Sequence, residues 1–377
     1  MKYWKRAWIL AAIISTSPLL ATAKESIPPG PQYRIEETLV SYRGTGSNDY
    51  LAFPAIAPLA GNEILLSYKR GRQHARDPGA VLEVIRIDLE SGRQLQEPIQ
   101  IGVPEGIMQM GEWIRFQNGN LATYIDVQKV DDQGQHYRTG LMRAISRDNG
   151  RSFETLESVG LIDGVEYGYL FDSATIGQRL YALIMTFEYL AGARRSVDVL
   201  YSDDNGETWH FQRNLNHEFG DIRINESSLI PYLGGFIIAT RGYDSMQRLH
   251  HVDSNFKLIQ EVNITEKTPT ISSHIGRPRL FEHSGSYFLI GRNHRAPNYK
   301  FPMELDLIRF DPTNLEIEEQ YVLDNIERGD VTDGYYPSPI IVNTAKRKVL
   351  NVFDYKAIIG NSPDIIRFQF DMESFLP

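Results

Sequence analysis

One pattern of eight residues occurs twice in this chain and limits what it can become. Ser146-Arg147-Asp148-Asn149-Gly150-Arg151-Ser152-Phe153 and Ser202-Asp203-Asp204-Asn205-Gly206-Glu207-Thr208-Trp209 both read S-x-D-x-G-x-[ST]-[FW], and they begin 56 residues apart. Each follows a short apolar run, Leu141 to Ile145 and Val197 to Tyr201. Asp and Asn can hydrogen-bond the backbone of a tight turn, Gly supplies a positive φ, and the terminal aromatic can pack back under the hairpin. A single octet of this kind is an ordinary turn. Two at a fixed separation predict a repeating architecture built from β-hairpins.

A second phrase recurs more often: a polar or Pro-containing start, an apolar strand, a Gly or Asn turn, and another apolar strand. It runs from Phe53 to Leu66, Trp113 to Thr123, Ala174 to Ala182, Ser228 to Ile238, Pro278 to Leu289 and Pro339 to Asn351, six times in all. Adjacent strands that are apolar on both faces suit the inner hairpin of a propeller blade, which is buried between its neighbours. The segment Tyr33 to Tyr42 precedes the first unit and is expected to pair with the last, closing the ring and removing two open edges. Composition agrees, since 30 Gly, 19 Pro and 20 Tyr among short apolar runs favour many short strands over long helices. No linker rich in Pro, Gly or Ser divides the chain, so residues 24–377 are expected to form one domain.

The two octets resemble the Asp-box, or BNR, repeats of sialidases. This resemblance implies an all-β fold, a six-bladed β-propeller with four-stranded antiparallel blades, whose functional cleft lies opposite the Asp-box turns. It also implies roles for particular residues. Asn225-Glu226-Ser227 resembles the family's N-E-S phrase, whose glutamate assists the nucleophile, and Arg241, one hairpin later, falls where the family has a substrate-binding arginine. Asp333-Gly334-Tyr335-Tyr336-Pro337 matches D-x-x-Y-P, which makes Tyr336 the nucleophile and sets Asp333 among the substrate-binding residues. A phenolate can attack where a carboxylate would be repelled by an anionic substrate, provided a neighbouring carboxylate takes its proton.

The first unit continues Lys69-Arg70-Gly71-Arg72-Gln73-His74-Ala75-Arg76-Asp77. By the same resemblance Arg70 or Arg72 fills the place of a strand-terminal substrate-binding arginine and Asp77 that of the acid/base aspartate. His74 is a rival proton donor, because imidazole exchanges protons near neutral pH. In the fifth unit Arg292 ends an inner strand, followed by Arg295, and is paired with Arg241 as occupying a matching position. Three guanidinium groups from three blades would grip a substrate carboxylate in bidentate fashion. Arg277 and Arg279 are read as rim or blade-contact residues. The chain departs from the family at one telling place: where sialidases carry R-I-P at the start of the first inner strand, it has Ala52-Phe53-Pro54.

The N-terminus pairs a basic start, Met1 to Arg6, with an apolar run from Ala7 to Leu20 and Ala21-Thr22-Ala23, the pattern of a secretory signal peptide cleaved after residue 23. Cleavage would remove three basic residues and take the formal charge from −9 to −12. Such an acidic chain is a poor partner for nucleic acid or, once the signal is gone, for an anionic membrane. The expected location is periplasmic or extracellular, in a bacterial envelope. With no Cys the fold has neither disulfide nor thiolate metal site, and no metal or organic cofactor is implied. The residues leave three functions open: an exo-acting retaining glycosidase removing a terminal acidic sugar from a glycan or glycoconjugate, a non-catalytic glycan-binding propeller, and a hydrolase or lyase of another acidic sugar on the same scaffold. Oligomeric state is not legible.

Overall fold

The structure, a computed structural model, describes residues 34–42, 49–186, 196–271, 275–294, 303–325, 334–357, 360 and 362–377. Segment 1–23, read above as a signal peptide, lies outside the described residues, as do Asp333 and Arg295.

The strands form six four-stranded antiparallel sheets in chain order. Blade 1 comprises β2 (Tyr50–Pro58), β3 (Glu63–Gly71), β4 (Val81–Asp88) and β5 (Ile99–Ile101). Blade 2 comprises β6 (Ile107–Arg115), β7 (Leu121–Val130), β8 (His136–Ser146) and β9 (Glu157–Ser158). Blade 3 holds β10 (Tyr167–Ile176), β11 (Arg179–Thr186), β12 (Val197–Ser202) and β13 (His210–Asn214). Blade 4 holds β14 (Ile224–Tyr232), β15 (Gly235–Gly242), β16 (Gln247–Val252) and β17 (Leu258–Asn263). Blade 5 holds β18 (Ile275–His283), β19 (Ser286–His294), β20 (Met303–Phe310) and β21 (Ile317–Asp324). The sixth sheet runs β1 (Arg34–Val40), β24 (Pro363–Asp371), β23 (Lys348–Ala357) and β22 (Ser338–Asn343), so the first strand closes the ring on the last blade.

Each second strand is buried along most of its length, as sandwiching between neighbouring blades requires; β3, β15 and β23 illustrate it with Leu65, Ile238 and Val352 fully enclosed. The expected inner hairpins are therefore the first two strands of each blade.

The Asp-box octets lie at the far ends of the third strands. In the first, Asp148 Oδ1 accepts from the amides of Arg151 (3.0 Å) and Ser152 (2.9 Å), while Ser146 Oγ accepts from the Gly150 amide at 2.8 Å. The second repeats this with Asp204, Thr208, Ser202 and Gly206. Asn149 and Asn205 share the positive φ with the glycines that follow them. The terminal aromatic reaches beyond its own hairpin: Trp209 Nε1 donates to Tyr124 Oη of blade 2 at 3.3 Å.

The innermost strands share an irregularity that builds the site. Pairing slips between Ala52 and Ala55 in β2, Met108 and Met110 in β6, Tyr167 and Tyr169 in β10, Ile224 and Ser227 in β14, and Gly276 and Arg279 in β18. A bulge frees residues from the ladder and re-aims their side chains. Here it turns Phe53, Gln109, Glu226 and Arg277 out of register at corresponding places in blades 1, 2, 4 and 5. In the last blade the same place is taken by Tyr335 and Tyr336, just before β22.

Candidate functional site

A cavity of about 170 Å³ opens where these bulges converge. Blade 1 lines it with Phe53 and His74, blade 2 with Gln109, Met110 and Arg138, and blade 3 with Tyr169, Phe171 and Met185. Asn225, Glu226 and Tyr243 come from blade 4, and Tyr336 from blade 6. The Asp boxes are at the other end of the blades. β8 carries Arg138 at the cavity and begins its octet at Ser146, about 26 Å further along an extended strand.

Tyr336 and Glu226, 110 residues apart in sequence, meet in this cavity: the phenol donates to Glu226 Oε1 at 2.9 Å. Glu226 Oε2 accepts from Arg241 Nη1 at 2.6 Å and from the Arg277 amide at 2.9 Å. Burial alone would raise the Glu226 pKa, but Arg241, the Arg277 amide, Arg292 and the Tyr336 hydroxyl together hold it below the ordinary glutamate value. The group is thus an ionised acceptor aimed at a phenol proton. Arg292 lies behind the tyrosine, its Cζ 4.9 Å from the ring centroid, and donates to the Gly334 carbonyl at 2.9 Å. Asp354 fixes the backbone there, accepting from the Tyr336 amide at 2.7 Å and the Tyr355 amide at 2.8 Å. Burial pushes its carboxyl up to about 8.

Beneath the cavity the axis is filled by charge. Glu112 accepts from both Arg277 and Arg279, and Arg279 also reaches the Phe171 carbonyl at 2.9 Å and Asp172 at 3.3 Å. Arg277 places Nη1 2.7 Å from Met110 Sδ. These two arginines, expected at the rim or between blades, form a buried axial plug that joins blades 2, 3 and 5.

The structure separates the other expected site residues. Arg241 and Arg292 back the Glu226–Tyr336 pair and are not part of the cavity lining. Nor do they match in register: Arg292 pairs with Gly276 ahead of its bulge, where β15 has Gly242, so Arg241 is one residue off. By the same register the blade 1 counterparts are Tyr68 and Lys69 rather than Arg70. Lys69 is fully buried and donates to the carbonyls of Gln73 and His74, both at 2.8 Å. Arg70 is bound to Asp49 (2.8 Å) and Glu83 (2.9 Å) and lies over the Tyr42 ring, away from the cavity. Arg72 is exposed and gives its amide to Asp77 at 2.6 Å. Asp77 is itself buried, accepting from the Arg72 and Gln73 amides, with Lys69 Nζ 3.7 Å away. Its carboxylate organises its own loop and does not line the cavity; His74, on the same loop, does. The His74 ring sits edge-on to Phe53 at 5.2 Å, and Phe53 sits edge-on to Tyr336 at 5.3 Å.

The sequence reading singled out only His74, Glu226 and Tyr336 among the lining residues as site groups; Phe53 and Arg138 are two that it did not. Phe53 follows Ala52, which stands at the R-I-P arginine position, and has φ 57° in the bulge. The Phe53-Pro54 step was the available signal, since Pro inside a strand pattern marks a bulge. Arg138 comes from the start of a third strand, which the inner-hairpin pattern does not reach.

No family model matches the chain, and no curated protein matches it in sequence. Solved structures do share its fold. A protein of unknown function from Dyadobacter fermentans superposes with a TM-score of 0.70 at 15% identity, over 89% of this chain and 99% of that one. The NanB sialidase of Streptococcus pneumoniae gives 0.59 at 12% identity, over 89% of this chain and 70% of its own. Trypanosoma rangeli sialidase, solved in complex with sialic acid, gives 0.57 at 11% identity, over 92% of this chain and 60% of its own. The shared feature is the six-bladed propeller fold.

Proposed function

We propose that this chain is an exo-acting retaining glycosidase that removes a terminal acidic sugar from a glycan. The observation that carries the reading is the 2.9 Å hydrogen bond from the Tyr336 phenol to Glu226, formed between blades 6 and 4 in the cavity. Tyr336 attacks the anomeric carbon as Glu226 takes its proton and the bond to the leaving oxygen breaks, giving a tyrosyl glycoside that water then hydrolyses while Glu226 returns the proton to the phenol. Arg292, stacked on the phenol ring, favours the developing phenolate. His74 is the proton donor to the leaving oxygen and later the base for water, because it reaches the cavity and Asp77 does not. The sialidase-like fold supports a sugar as substrate, and the arginines behind the site favour an anionic one. With residues 1–23 read as a signal peptide, the mature protein acts outside the cytoplasm.

The test is release of aglycone from a panel of aryl glycosides of acidic and neutral sugars. Turnover of an acidic member, lost in Tyr336→Phe while the melting temperature is kept, supports the proposal. Activity that survives Tyr336→Phe contradicts the mechanism, and glycan binding without turnover on any member favours the non-catalytic reading.

A further inference from the structure

A lysine that the mechanism does not use is buried beside the cavity. Lys69, near the end of β3, is fully enclosed, and an ammonium taken out of water needs an acceptor for each of its three N–H groups. It has them. Nζ donates to the carbonyls of Gln73 and His74, both at 2.8 Å, and to Gln109 Oε1 at 3.3 Å. The Gln109 amide donates in turn to the same His74 carbonyl at 2.9 Å. Asp77 Oδ2 supplies the counter-charge, 3.7 Å from Nζ.

These bonds fasten one loop to two blades. The loop from Arg72 to Asp77 closes on itself through Asp77, which accepts from the amides of Arg72 and Gln73, and through Gln73 Nε2, which donates to the Arg76 carbonyl at 2.7 Å. Lys69 binds its backbone to blade 1, and Gln109, in the β6 bulge, binds it to blade 2. His74 stands where the two ties meet. Its ring is seated with Nδ1 3.3 Å from Tyr50 Oη and with Phe53 edge-on at 5.2 Å. A proton donor has to be held to within about 0.5 Å of its productive place, and a loop closed only on itself does not achieve that.

The same lysine bears on the departure at the start of β2. Lys69 pairs across the ladder with Ala52, which stands at the R-I-P arginine position, and both are fully buried. Residues directly opposite on neighbouring strands share a face, and like charges there repel. An arginine at position 52 would set a second buried cation against Lys69, whereas the alanine methyl does not. The cation at this end of blade 1 therefore stands on β3 and serves the loop, outside the cavity lining.

We propose that Lys69 is a positioning residue: with Gln109 it holds the 72–77 loop so that His74 faces the cavity as proton donor. This rests on the assignment of His74 as that donor, and the experiment separates the two claims. Imidazole signals from isotope-labelled histidine, with His74 assigned by His74→Gln, report its placement without any substrate. In the wild type the His74 signal is expected away from its random-coil position, displaced by the Phe53 ring. In Lys69→Met, whose side chain has similar length and no donor, and in Gln109→Met it should move toward that position while the melting temperature is kept. Should Lys69→Met fail to fold, Gln109→Met decides. A signal that stays in place in the folded variants overturns the proposal. Kinetics give the second readout, because a nitrophenolate departs without a proton and an alkoxide needs one. The kcat/KM of Lys69→Met should fall at least about tenfold more on an alkyl glycoside than on the nitrophenyl glycoside, with KM little changed, which is the pattern expected of His74→Gln. Equal losses on the two substrates, where His74→Gln keeps that pattern, overturn the proposal. A wild type without turnover, or a His74→Gln variant without the pattern, overturns the role of His74, and the imidazole signals still decide whether Lys69 places the loop.

Discussion

Glu226 has three hydrogen-bond partners, Arg241, Arg277 and Tyr336, drawn from blades 4, 5 and 6. Replacing it by Gln keeps its shape but removes the charge that Arg241 and the Arg277 amide were arranged to meet. Breaking a buried ion pair from one side costs about 3–5 kcal/mol, so Glu226→Gln should lower the melting temperature as well as abolish turnover. Tyr336→Phe removes only the phenol oxygen and should leave the melting temperature nearly unchanged. Its kcat should fall at least about a hundredfold. Asp354 gives a pH signature. Burial keeps its proton bound up to about pH 8 in the folded protein, whereas an unfolded aspartate releases it near 4. The folded state holds the extra proton between those values, so this contribution to stability is complete below about pH 4 and is lost as pH rises toward 8. Urea midpoints measured from pH 5 to 9 should fall with pH, and Asp354→Asn should flatten the slope.

At the level of elements, the molecule was legible where the physics is local. An Asp-box hairpin closes within eight residues through its own Ser, Asp and Gly, so both octets could be read directly, and the apolar inner hairpins with them. Glu226 and Tyr336 were legible through their flanking phrases. What could not be read was anything set by register. The matching of Arg241 with Arg292 fails by one residue because the inner hairpin of blade 4 runs one pair longer between its bulge and its turn than that of blade 5, and a one-residue slip sends side chains to opposite faces. Arg70 could not be separated from Lys69, nor Asp77 from His74, because burial and loop closure decide those pairs. The octets also carry a testable role between blades. A Cβ at Gly206 would stand 2.5 Å from the Phe116 ring, at φ 80°. Gly206→Ala should therefore destabilise the protein by about 1–3 kcal/mol in urea unfolding, with kcat at low temperature unaltered because the cavity lies at the other end of the blade.

For the whole molecule, closure is the decisive event. β1 joins β24 after nearly the full length of the chain has intervened, and Arg367, almost fully buried, ties the two by pairing with Glu37 at 2.5 Å. Lys356 and Arg34 converge on the buried Asp324, linking blade 5 to the closing sheet. Deleting residues 34–42 should open an edge on β24 and yield aggregating protein, seen as a shift to the void volume in gel filtration. The mature N-terminus is expected at Lys24 by Edman or mass analysis of exported protein. If the ring of six blades assembles a tyrosine nucleophile and its base, an activated fluorinated glycosyl fluoride should trap that tyrosine, and peptide mass mapping would locate the adduct. A glycosyl adduct on Tyr336, absent from Tyr336→Phe, is the predicted result; turnover of the same reagent with the adduct on another residue, or with none, would contradict it.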